Sequence, residues 1–382
     1  MARRKGGAAV GGIIGAVIVL ILVTLLVLAL LPRFGILSRF SQDLTEVSGV
    51  VGSEKADFFA DPKVVDAFAK HGLSVSVSTA GSWAMPRDTS LPEKDFAFPA
   101  SEVAGRQIAD TFGDAVLGTH TPFFSPIAIA TFTPVLEVLE ANDVASQTDG
   151  IWTIDMRAYL DIVAEDTRWS DLKDAEKFRS NRSVLVASTD IRSSNSAGMY
   201  MALASYVLNG NTVVSDRDKA AEQVDELSHL FIDQGYAQSS SAGPFERYLS
   251  RGAGEAPMVV VYEGQFMGEQ LREGSRIQDS MKLAYPSPTV FSTHTGVTFS
   301  DGGEQVMQLL ESDEELVRLL AEHGFRANGQ HAGIFDQTVQ EHDLGGTYLP
   351  ASEFVDLAQL PSFEVMTYLL EEIGRKYDIS GS

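Results

Sequence analysis

The sequence predicts a two-lobed α/β protein that follows a single transmembrane helix. Three observations lead to this prediction. An apolar run near the start is long enough to cross a bilayer, and strand-like segments alternate with helix-like segments through the rest of the chain. Two proline-containing extended segments enclose an α/β block of roughly 150 residues. The chain is therefore expected to leave one lobe, build a second lobe and return to the first.

The predicted transmembrane helix covers residues 11–31, in which Thr24 is the only polar residue. At 1.5 Å per residue this segment spans on the order of 30 Å, which matches the hydrocarbon core of a bilayer. The run has no small-residue cleavage site at its end, so an uncleaved anchor is favoured over a signal peptide. The basic segment 1–10 is expected in the cytoplasm, and the linker 32–43 and everything after it are expected outside the bacterial cell membrane.

Composition limits the classes of protein that remain. The 382 residues are 44% hydrophobic, which is enough to build a large core. The formal net charge of −23 repels polyanions, so nucleic acid is not expected as a partner. The chain has no cysteine, which excludes disulfides, thiol catalysis, cysteine-based metal sites and a lipid-modified N-terminal cysteine.

The segment 182–210 carries the clearest local pattern. Residues 183–187 are predicted to form a buried strand, and residues 197–208 have the spacing of a helix that Gly210 ends. Between them, residues 188–196 form a loop rich in hydroxyl side chains. Free amides and the helix dipole favour a small anionic ligand at such a helix start. An ordinary capped helix is the simpler interpretation of the same pattern.

A strand–helix–strand unit begins the region after the linker. Residues 44–51 and 73–78 are predicted strands, and residues 62–71 are a predicted helix. Such a unit implies a parallel sheet with a right-handed crossover, in which ligands bind beyond the carboxyl ends of the strands. The polar residues at those ends are Ser53, Lys55 and Ser82. A solvated lysine and two capping serines are the alternative interpretation.

The two extended connectors set the predicted lobe boundaries. They cover residues 121–131 and 283–299, and both contain prolines. The first lobe is then formed by 44–125 and 285–382, which includes a C-terminal extension, and the second lobe by 126–284.

At this level of organisation the chain resembles the type II periplasmic binding proteins, the solute-binding components of ABC-type importers, and in particular a membrane-anchored branch of that family. The resemblance covers about 45–330 and rests on the order of six short strings. They are GSEK at Gly52, SPIAIAT at Ser125, WSDLK at Trp169, STDIRSSNSAGMY at Ser188, VVVYEGQF at Val259 and YPSPT at Tyr285. Lipoprotein relatives lack such an anchor, so a transporter partner stays open.

The resemblance implies two lobes, each a parallel or mixed sheet flanked by helices, joined by two crossover strands and closing on a ligand by hinge bending. It implies that eight side chains line the cleft. From the first lobe these are Ser53, Lys55, Ser82 and Ser125, and from the second lobe Ser194, Asn195, Ser196 and Tyr262.

The charge of the ligand is left open by the sequence. Hydroxyl groups and backbone amides suit an oxyanion or carboxylate, and Lys55 or Arg192 would add a positive charge. If Glu54 and Glu263 point inward instead, the cleft suits a cationic, amide or sugar-like ligand better.

Enzymatic motifs are missing from the sequence. It contains no G-x-S-x-G, P-loop or H-E-x-x-H string, and the S-x-x-K at Ser170 lacks its companion S-D-N and K-T-G strings. A loose group of metal-capable residues between His331 and Asp343 is attributed to the acidic composition. We therefore expect a protein that is not an enzyme and holds neither cofactor nor metal.

Two functions follow as hypotheses. The first is an anchored extracytoplasmic solute-binding protein that captures a small polar or anionic ligand, with an ABC permease as a partner. The alternative is a binding-protein fold reused as an envelope sensor or scaffold that contacts other envelope proteins.

Overall fold

The structure is a computed structural model, and it describes residues 44–235 and 237–380. In this part of the chain, ten strands form one large mixed sheet with helices packed against it. The predicted transmembrane helix over 11–31, the basic segment 1–10 and the linker 32–43 lie outside the described residues. No helix in the described ranges has the length and apolarity needed to cross a membrane.

The strands and helices of the described residues are numbered in chain order. The strands are β1 (Thr45–Val51), β2 (Leu73–Thr79), β3 (Phe96–Phe98), β4 (Gly118–Phe132), β5 (Ala145–Thr148), β6 (Ile151–Asp155), β7 (Val259–Tyr262), β8 (Met281–Ser287), β9 (Phe291–Thr298) and β10 (Arg326–Ala327). The helices are α1 (Ala56–Ala60), α2 (Pro62–Lys70), α3 (Glu102–Phe112), α4 (Thr133–Ala141), α5 (Met156–Ala164), α6 (Asn195–Leu208), α7 (Arg217–Ile232), α8 (Ala242–Arg251), α9 (Glu263–Leu271), α10 (Asp301–Ser312), α11 (Glu314–Glu322), α12 (Ile334–Glu341) and α13 (Phe363–Ser380).

The sheet has two halves that share strand β4. The strand order is β2, β1, β3, β9, β4, β8, β6, β5, and β7 and β10 also pair with β4. Residues 118–126 of β4 pair antiparallel with β9, whereas residues 127–132 pair antiparallel with β7 and β8. We call β1, β2, β3, β9, β10 and the start of β4 the first half, and β5 to β8 with the end of β4 the second half. The chain passes between them through β4 and returns from β8 to β9.

Strand β4 lies in the middle of the sheet although it contains Pro122 and Pro126. The sequence predicts residues 121–131 as a connector rather than a central strand, because proline cannot donate a ladder hydrogen bond. Pro122 falls where the register with β9 shifts between His120 and Phe123. Pro126 is the last residue that pairs with β9 before β7 and β8 become the partners. Both prolines therefore lie where the ladder is interrupted or changes partner.

Local capping explains where the first long helix begins and ends. The Asp61 carboxylate accepts a hydrogen bond of 2.8 Å from the Lys63 amide, and Pro62 takes the first helical position, where no amide is needed. Gly72, with a φ of 79°, follows the helix and turns the chain into β2. The predicted helix over 62–71 thus agrees with α2 to within one residue.

Residues 183–187 do not form the strand that the sequence predicts. They are extended, but their strand pairing is limited to single bridges, one of which joins Ala187 to Val259. The Val186 amide donates instead to the Tyr159 hydroxyl at 2.9 Å. Side-chain and loop partners therefore satisfy this backbone, and its β-branched residues are buried without a continuous ladder.

The C-terminal helix α13 packs on the second half, whereas the sequence groups 285–382 with the first lobe. Its apolar face enters the same core as α6 and α7. It also reaches the loop after β2, where the Phe363 and Trp83 rings lie 5.8 Å apart and Arg87 forms a 3.0 Å ion pair with Glu371. The buried residues on that face are Val365, Met366, Leu369, Leu370 and Ile373. Helical spacing in a sequence indicates an apolar face, but it does not identify the surface that covers that face.

His120 links β4 to α10. Its Nε2 lies 3.0 Å from Glu304 Oε1, and its Nδ1 lies 3.1 Å from Glu311 Oε2. Partial burial disfavours the charged imidazole, but the hydrogen bonds to the two carboxylates outweigh burial and raise the pKa of His120. The charged imidazole therefore stabilises this contact.

Candidate functional site

A cavity of about 250 Å³ lies where the two halves of the sheet meet. The first half contributes residues 52–54 after β1 and residues 79–82 at the end of β2. The second half contributes residues 193–195 at the start of α6, residues 239–241 before α8, and Tyr262 at the end of β7. The cavity is thus built from the ends of strands and the beginnings of helices, where backbone amides are available to a ligand.

The two walls of the cavity touch at Gly81. A Cβ atom added to Gly81 would lie 2.6 Å from the carbonyl oxygen of Ser193 on the opposite wall. Any side chain here requires the walls to separate. Glycine is therefore needed for the close approach of the two segments, and the structure holds the walls in contact.

Asn195 connects the second wall to the first. Its Nδ2 donates to the Ala100 carbonyl and to the Tyr262 hydroxyl, each at 3.0 Å. Its Oδ1 is buried and has no hydrogen-bond partner among the described residues. Burial, and then the charge of Glu54, raise the pKa of Tyr262, so its hydroxyl stays protonated.

A buried polar cluster lies directly beneath the first wall. Lys55 is fully buried and forms an ion pair with Glu54, and its Nζ lies 2.8 Å from His294 Nδ1 and 4.8 Å from the centre of the Phe98 ring. Burial lowers the pKa of Lys55, although the Glu54 charge opposes this effect. Burial and the neighbouring Lys55 charge place the pKa of His294 well below its usual value. His294 is therefore neutral, and its Nδ1 accepts from Lys55.

Solved structures share this arrangement of strands and helices. Apo ferric ion-binding protein A from Pasteurella haemolytica superposes with a TM-score of 0.54 and 10% identity, over 88% of this chain and 97% of its own. Iron-bound HitA from Pseudomonas aeruginosa gives 0.53 and 9%, over 87% and 99%. The periplasmic binding protein AfuA from Actinobacillus pleuropneumoniae, with fructose-6-phosphate bound, gives 0.51 and 10%, over 87% and 97%.

The chain has the fold of the type II periplasmic binding proteins. At these low identities the superpositions establish the fold alone. No protein-family model and no curated protein matches the sequence.

The eight predicted ligand-binding side chains occupy two kinds of position in this periplasmic-binding-protein fold. Those that line the cavity are Ser53, Ser82, Ser194, Asn195 and Tyr262. Those that lie behind the lining with protein partners are Lys55, Ser125 and Ser196. Ser125 Oγ accepts from the Gly264 amide at 3.1 Å, and Ser196 Oγ lies 2.8 Å from Thr189 Oγ1 and 3.1 Å from Ser194 Oγ. The second group supports the loops that carry the first.

The sequence left open which of two glutamates and two cations face the cleft, and the structure shows where each of them lies. Glu54 lines the cavity, whereas Glu263 is fully buried against Arg326, with hydrogen bonds of 2.6 and 2.8 Å. Arg192 is held by Asp190 and Asp378, and Lys55 is held by Glu54 and His294. Neither cation is directed at the cavity of this fold.

Several lining residues were not predicted from the sequence. They are Thr79, Gly81, Ser193 and the serine run Ser239, Ser240 and Ser241. The serine run precedes α8 in the same way that the hydroxyl-rich loop precedes α6, and our sequence analysis assigned it no ligand-binding role. A hydroxyl run directly before a helix was the signal that could have identified it.

The lining supplies donors and little charge. Serine and threonine hydroxyls predominate, and Ser194, the residue directly before α6, makes no capping hydrogen bond with its side chain. Among the lining residues that the structure describes, Glu54 is the one that carries a charge, and Lys55 compensates it. Among the described residues, no group of three or more His, Asp or Glu side chains is placed to hold a metal ion. The cavity therefore suits a polar ligand held by neutral hydrogen-bond donors.

Proposed function

We propose that the protein is an extracytoplasmic solute-binding protein that captures a small polar or anionic ligand between two lobes. The observation that carries the proposal is the origin of the cavity walls, which come from both halves of the sheet and meet at Gly81 and Ser193. A ligand in this position contacts both halves at once, so binding favours the closed form over any open one.

The lobes of the proposal follow the two halves of the sheet. Strand β4 and the return from β8 to β9 are two connections between them, and the segment that leads to α13 is a third. Small changes in backbone angles in β4 and between β8 and β9 would open the cavity by hinge bending. In this division, residues 44–125, strand β9 and helices α10 and α11 form lobe 1. Residues 126–284 and helix α13 form lobe 2.

The ligand class follows from the lining. The relatives of known structure include proteins described with iron and with fructose-6-phosphate. Hydroxyl groups and helix starts match an oxyanion or a hydroxylated ligand, and the described lining lacks the several anionic ligands that ferric iron would require. We therefore favour a small polar or anionic solute over a metal ion for this protein.

The anchor and the transporter belong to the same proposal. Residues 11–31 would hold the binding protein at the outer face of the cell membrane as a single-pass anchor, and an ABC permease would receive the solute. Protease accessibility of the C-terminal region in intact spheroplasts tests this orientation. Protection of that region until the membrane is lysed would place it in the cytoplasm and reject the proposal.

A thermal-shift screen tests solute binding directly. The panel comprises phosphate, sulfate, sugar phosphates, amino acids, sugars and ferric iron. A ligand present at a hundred times its dissociation constant stabilises the folded state by about 2.7 kcal/mol, which raises the melting temperature by several degrees. If no member of the panel raises it, solute binding loses its support.

A pair of variants shows whether a hit occupies this cavity. Ser53 is exposed and lines the cavity, so Ser53→Trp should fill the entrance and abolish the shift. Ser352 is equally exposed in another short 3-10 turn outside the cavity, and Ser352→Trp should leave the shift unchanged.

A second candidate function is an envelope sensor or scaffold. Helix α13 favours it, because this helix contacts α7 in the second half and the loop after β2 in the first half, which restrains opening. This candidate predicts that the protein copurifies with other envelope proteins after mild crosslinking. Recovery of the protein alone would reject it.

A further inference from the structure

We propose that strand β2 is a surface at which a second copy of this chain binds, so that the sheets of the two copies join through an antiparallel pair of β2 strands. Dimer formation at this strand is independent of the proposed solute-binding function. Three features of β2 lead to it, namely its position at the end of the sheet, its sequence and the helix that packs on it.

Strand β2 forms one end of the sheet. It pairs with β1 on its inner side, and no other segment of the described chain pairs with it on its outer side. Ser76, Ser78 and Thr79 are exposed. The backbone N–H and C=O groups along the outer side are therefore available to another strand.

The opposite end of the sheet is protected, whereas β2 is not. The strand at that end, β5, has only four residues and lies between Asp143 and Asp149. Short length and nearby charges discourage the addition of another strand. Strand β2 has seven residues, LSVSVST, and contains neither a charge nor a proline. Its length and composition therefore favour pairing with a further strand.

The sequence of β2 is complementary to itself. The string SVSVS reads the same from either end, and its centre, Ser76, is also the midpoint of the strand. An antiparallel pair centred on Ser76 sets this residue opposite its own counterpart. The same register sets Val75 opposite Val77, and Ser74 opposite Ser78, of the second copy. Such serine pairs and valine pairs stabilise a sheet, so the symmetry favours a second copy over an unrelated strand.

Helix α2 extends this match beyond the strand. Val75 and Val77 pack against the same core as α2. Ion pairs of Lys63 and Lys70 turn one side of α2 toward α11, and Val65 lies on the other side, 48% exposed. The two-fold axis of an antiparallel pair is perpendicular to the sheet, so both α2 helices lie on the same face. The Val65 side chains of the two copies would then face each other across the axis.

Pairing at β2 leaves both cavities accessible. The end of β2 lines the cavity at Thr79. Thr79 is three residues from Ser76, which is about 10 Å from the axis at roughly 3.3 Å per residue. Because the paired strands run in opposite directions, the cavities of the two copies lie at opposite ends of the pair. Dimer formation is therefore compatible with solute binding.

Disulfide crosslinking of the full-length protein in detergent tests the register. The chain has no cysteine, so a single introduced cysteine has no competing thiol. Ser76→Cys should form a disulfide-linked dimer when oxidised with copper phenanthroline, because opposed Cα atoms of antiparallel strands lie about 4.5–5.5 Å apart. Ser74→Cys alone should stay unlinked, since its counterpart lies about 13 Å away along the strands. Coexpressed Ser74→Cys and Ser78→Cys chains should link to each other.

Ser146→Cys is the matched control, because Ser146 is an exposed serine on the opposite edge strand β5. It should stay unlinked. Failure of Ser76→Cys to form the linked dimer would overturn the proposal. Linking of Ser74→Cys alone to the same extent as Ser76→Cys would also overturn it, because the symmetric register would then be wrong.

Sedimentation equilibrium in detergent measures the strength of association. Ser76→Lys sets two like charges opposite each other and should weaken the dimer at least about tenfold, whereas Ser146→Lys should leave it unchanged. Circular dichroism shows whether the variants fold, and Ser78→Lys replaces Ser76→Lys if the latter does not. A wild-type monomer would leave the edge to a strand of another protein and overturn the proposal, as would a dimer that the lysine does not weaken. Neither result affects the thermal-shift test of solute binding.

Discussion

Replacing Gly81 by alanine tests the contact between the cavity walls. The added Cβ would meet the Ser193 carbonyl oxygen at 2.6 Å, and this neighbour is backbone rather than the end of a flexible side chain. Ordinary contact begins near 3.4 Å, so one wall must retreat by about 0.8 Å. The substitution therefore pushes the two halves of the sheet apart at one defined point.

The expected cost follows from two opposing effects. Inserting a methyl group into a packed contact costs about 1–3 kcal/mol of folding free energy. Replacing glycine by alanine also restricts the unfolded chain, which returns about 0.4–1 kcal/mol. We expect the free energy of unfolding of Gly81→Ala to fall by roughly 0–2.6 kcal/mol. Ligand affinity should fall as well, because binding requires the closed form.

Urea unfolding followed by circular dichroism measures the first effect. Gly345→Ala is the matched control, because Gly345 has open space around its Cα and should gain the unfolded-state term without the clash. The difference between the two variants isolates the wall contact, provided that their m-values agree. If Gly81→Ala is as stable as Gly345→Ala, the walls do not touch in solution and the closed cavity is wrong.

Three further predictions follow from other contacts. Lys55→Met should destabilise the fold by about 3–5 kcal/mol because it leaves the Glu54 charge buried, and adding Glu54→Gln should restore part of the loss in urea unfolding. His120→Gln should lower the free energy of unfolding by about 1 kcal/mol at pH 6 and by less at pH 9. Because folding raises the pKa of His120, the charged imidazole contributes its full stability below the ordinary pKa near 6.5, and this contribution is lost as the pH rises above the pKa in the folded state. Equal losses at both pH values would contradict this prediction. If the cavity opens, tryptophan fluorescence should change on ligand binding and lose that change in Trp83→Phe but not in Trp169→Phe, because Trp83 is the tryptophan between the halves.

Much of the fold could be predicted because local patterns determine it. The helix over 62–71 has a cap, a proline at its start and a glycine after its end, and α2 matches it. The two proline-containing segments, 121–131 and 283–299, correspond to β4 and to β8 with β9, which connect the halves. Their order and the short strings around them predicted the binding-protein fold, and the superposed structures confirm it.

Lining residues of the candidate site could be predicted only where they directly follow a strand or precede a helix. Ser53, Ser82 and Ser194 follow strands or precede a helix, and the topology brings such ends together. Lys55 was expected in the lining, but its side chain turns toward His294, which is 239 residues away in sequence. A partner that distant leaves no periodic signal, and the same reason explains why the surface covered by α13 was not predicted.

Helix α13 determines how difficult the cavity is to open. Separating the halves breaks the Arg87–Glu371 ion pair, but both side chains are more than half exposed and the pair contributes at most about 1 kcal/mol. The larger part of the free energy needed to separate the halves comes from Trp83, which is 9% exposed and packs on Phe363 and Gly198. Exposing such a side chain costs about 1.5–3 kcal/mol.

Together these contacts contribute an opening cost of about 1.5–4 kcal/mol, which corresponds to an open fraction of roughly 0.1–7%. That fraction is small, but it is large enough for a solute to enter and then be held by closure. The same cost slows binding, because a solute enters only through the open fraction, but it does not lower the equilibrium affinity, since the ligand-bound form is the closed form that already predominates. A cavity held shut much more firmly would favour the sensor or scaffold function, because no freely exchanging solute could reach it.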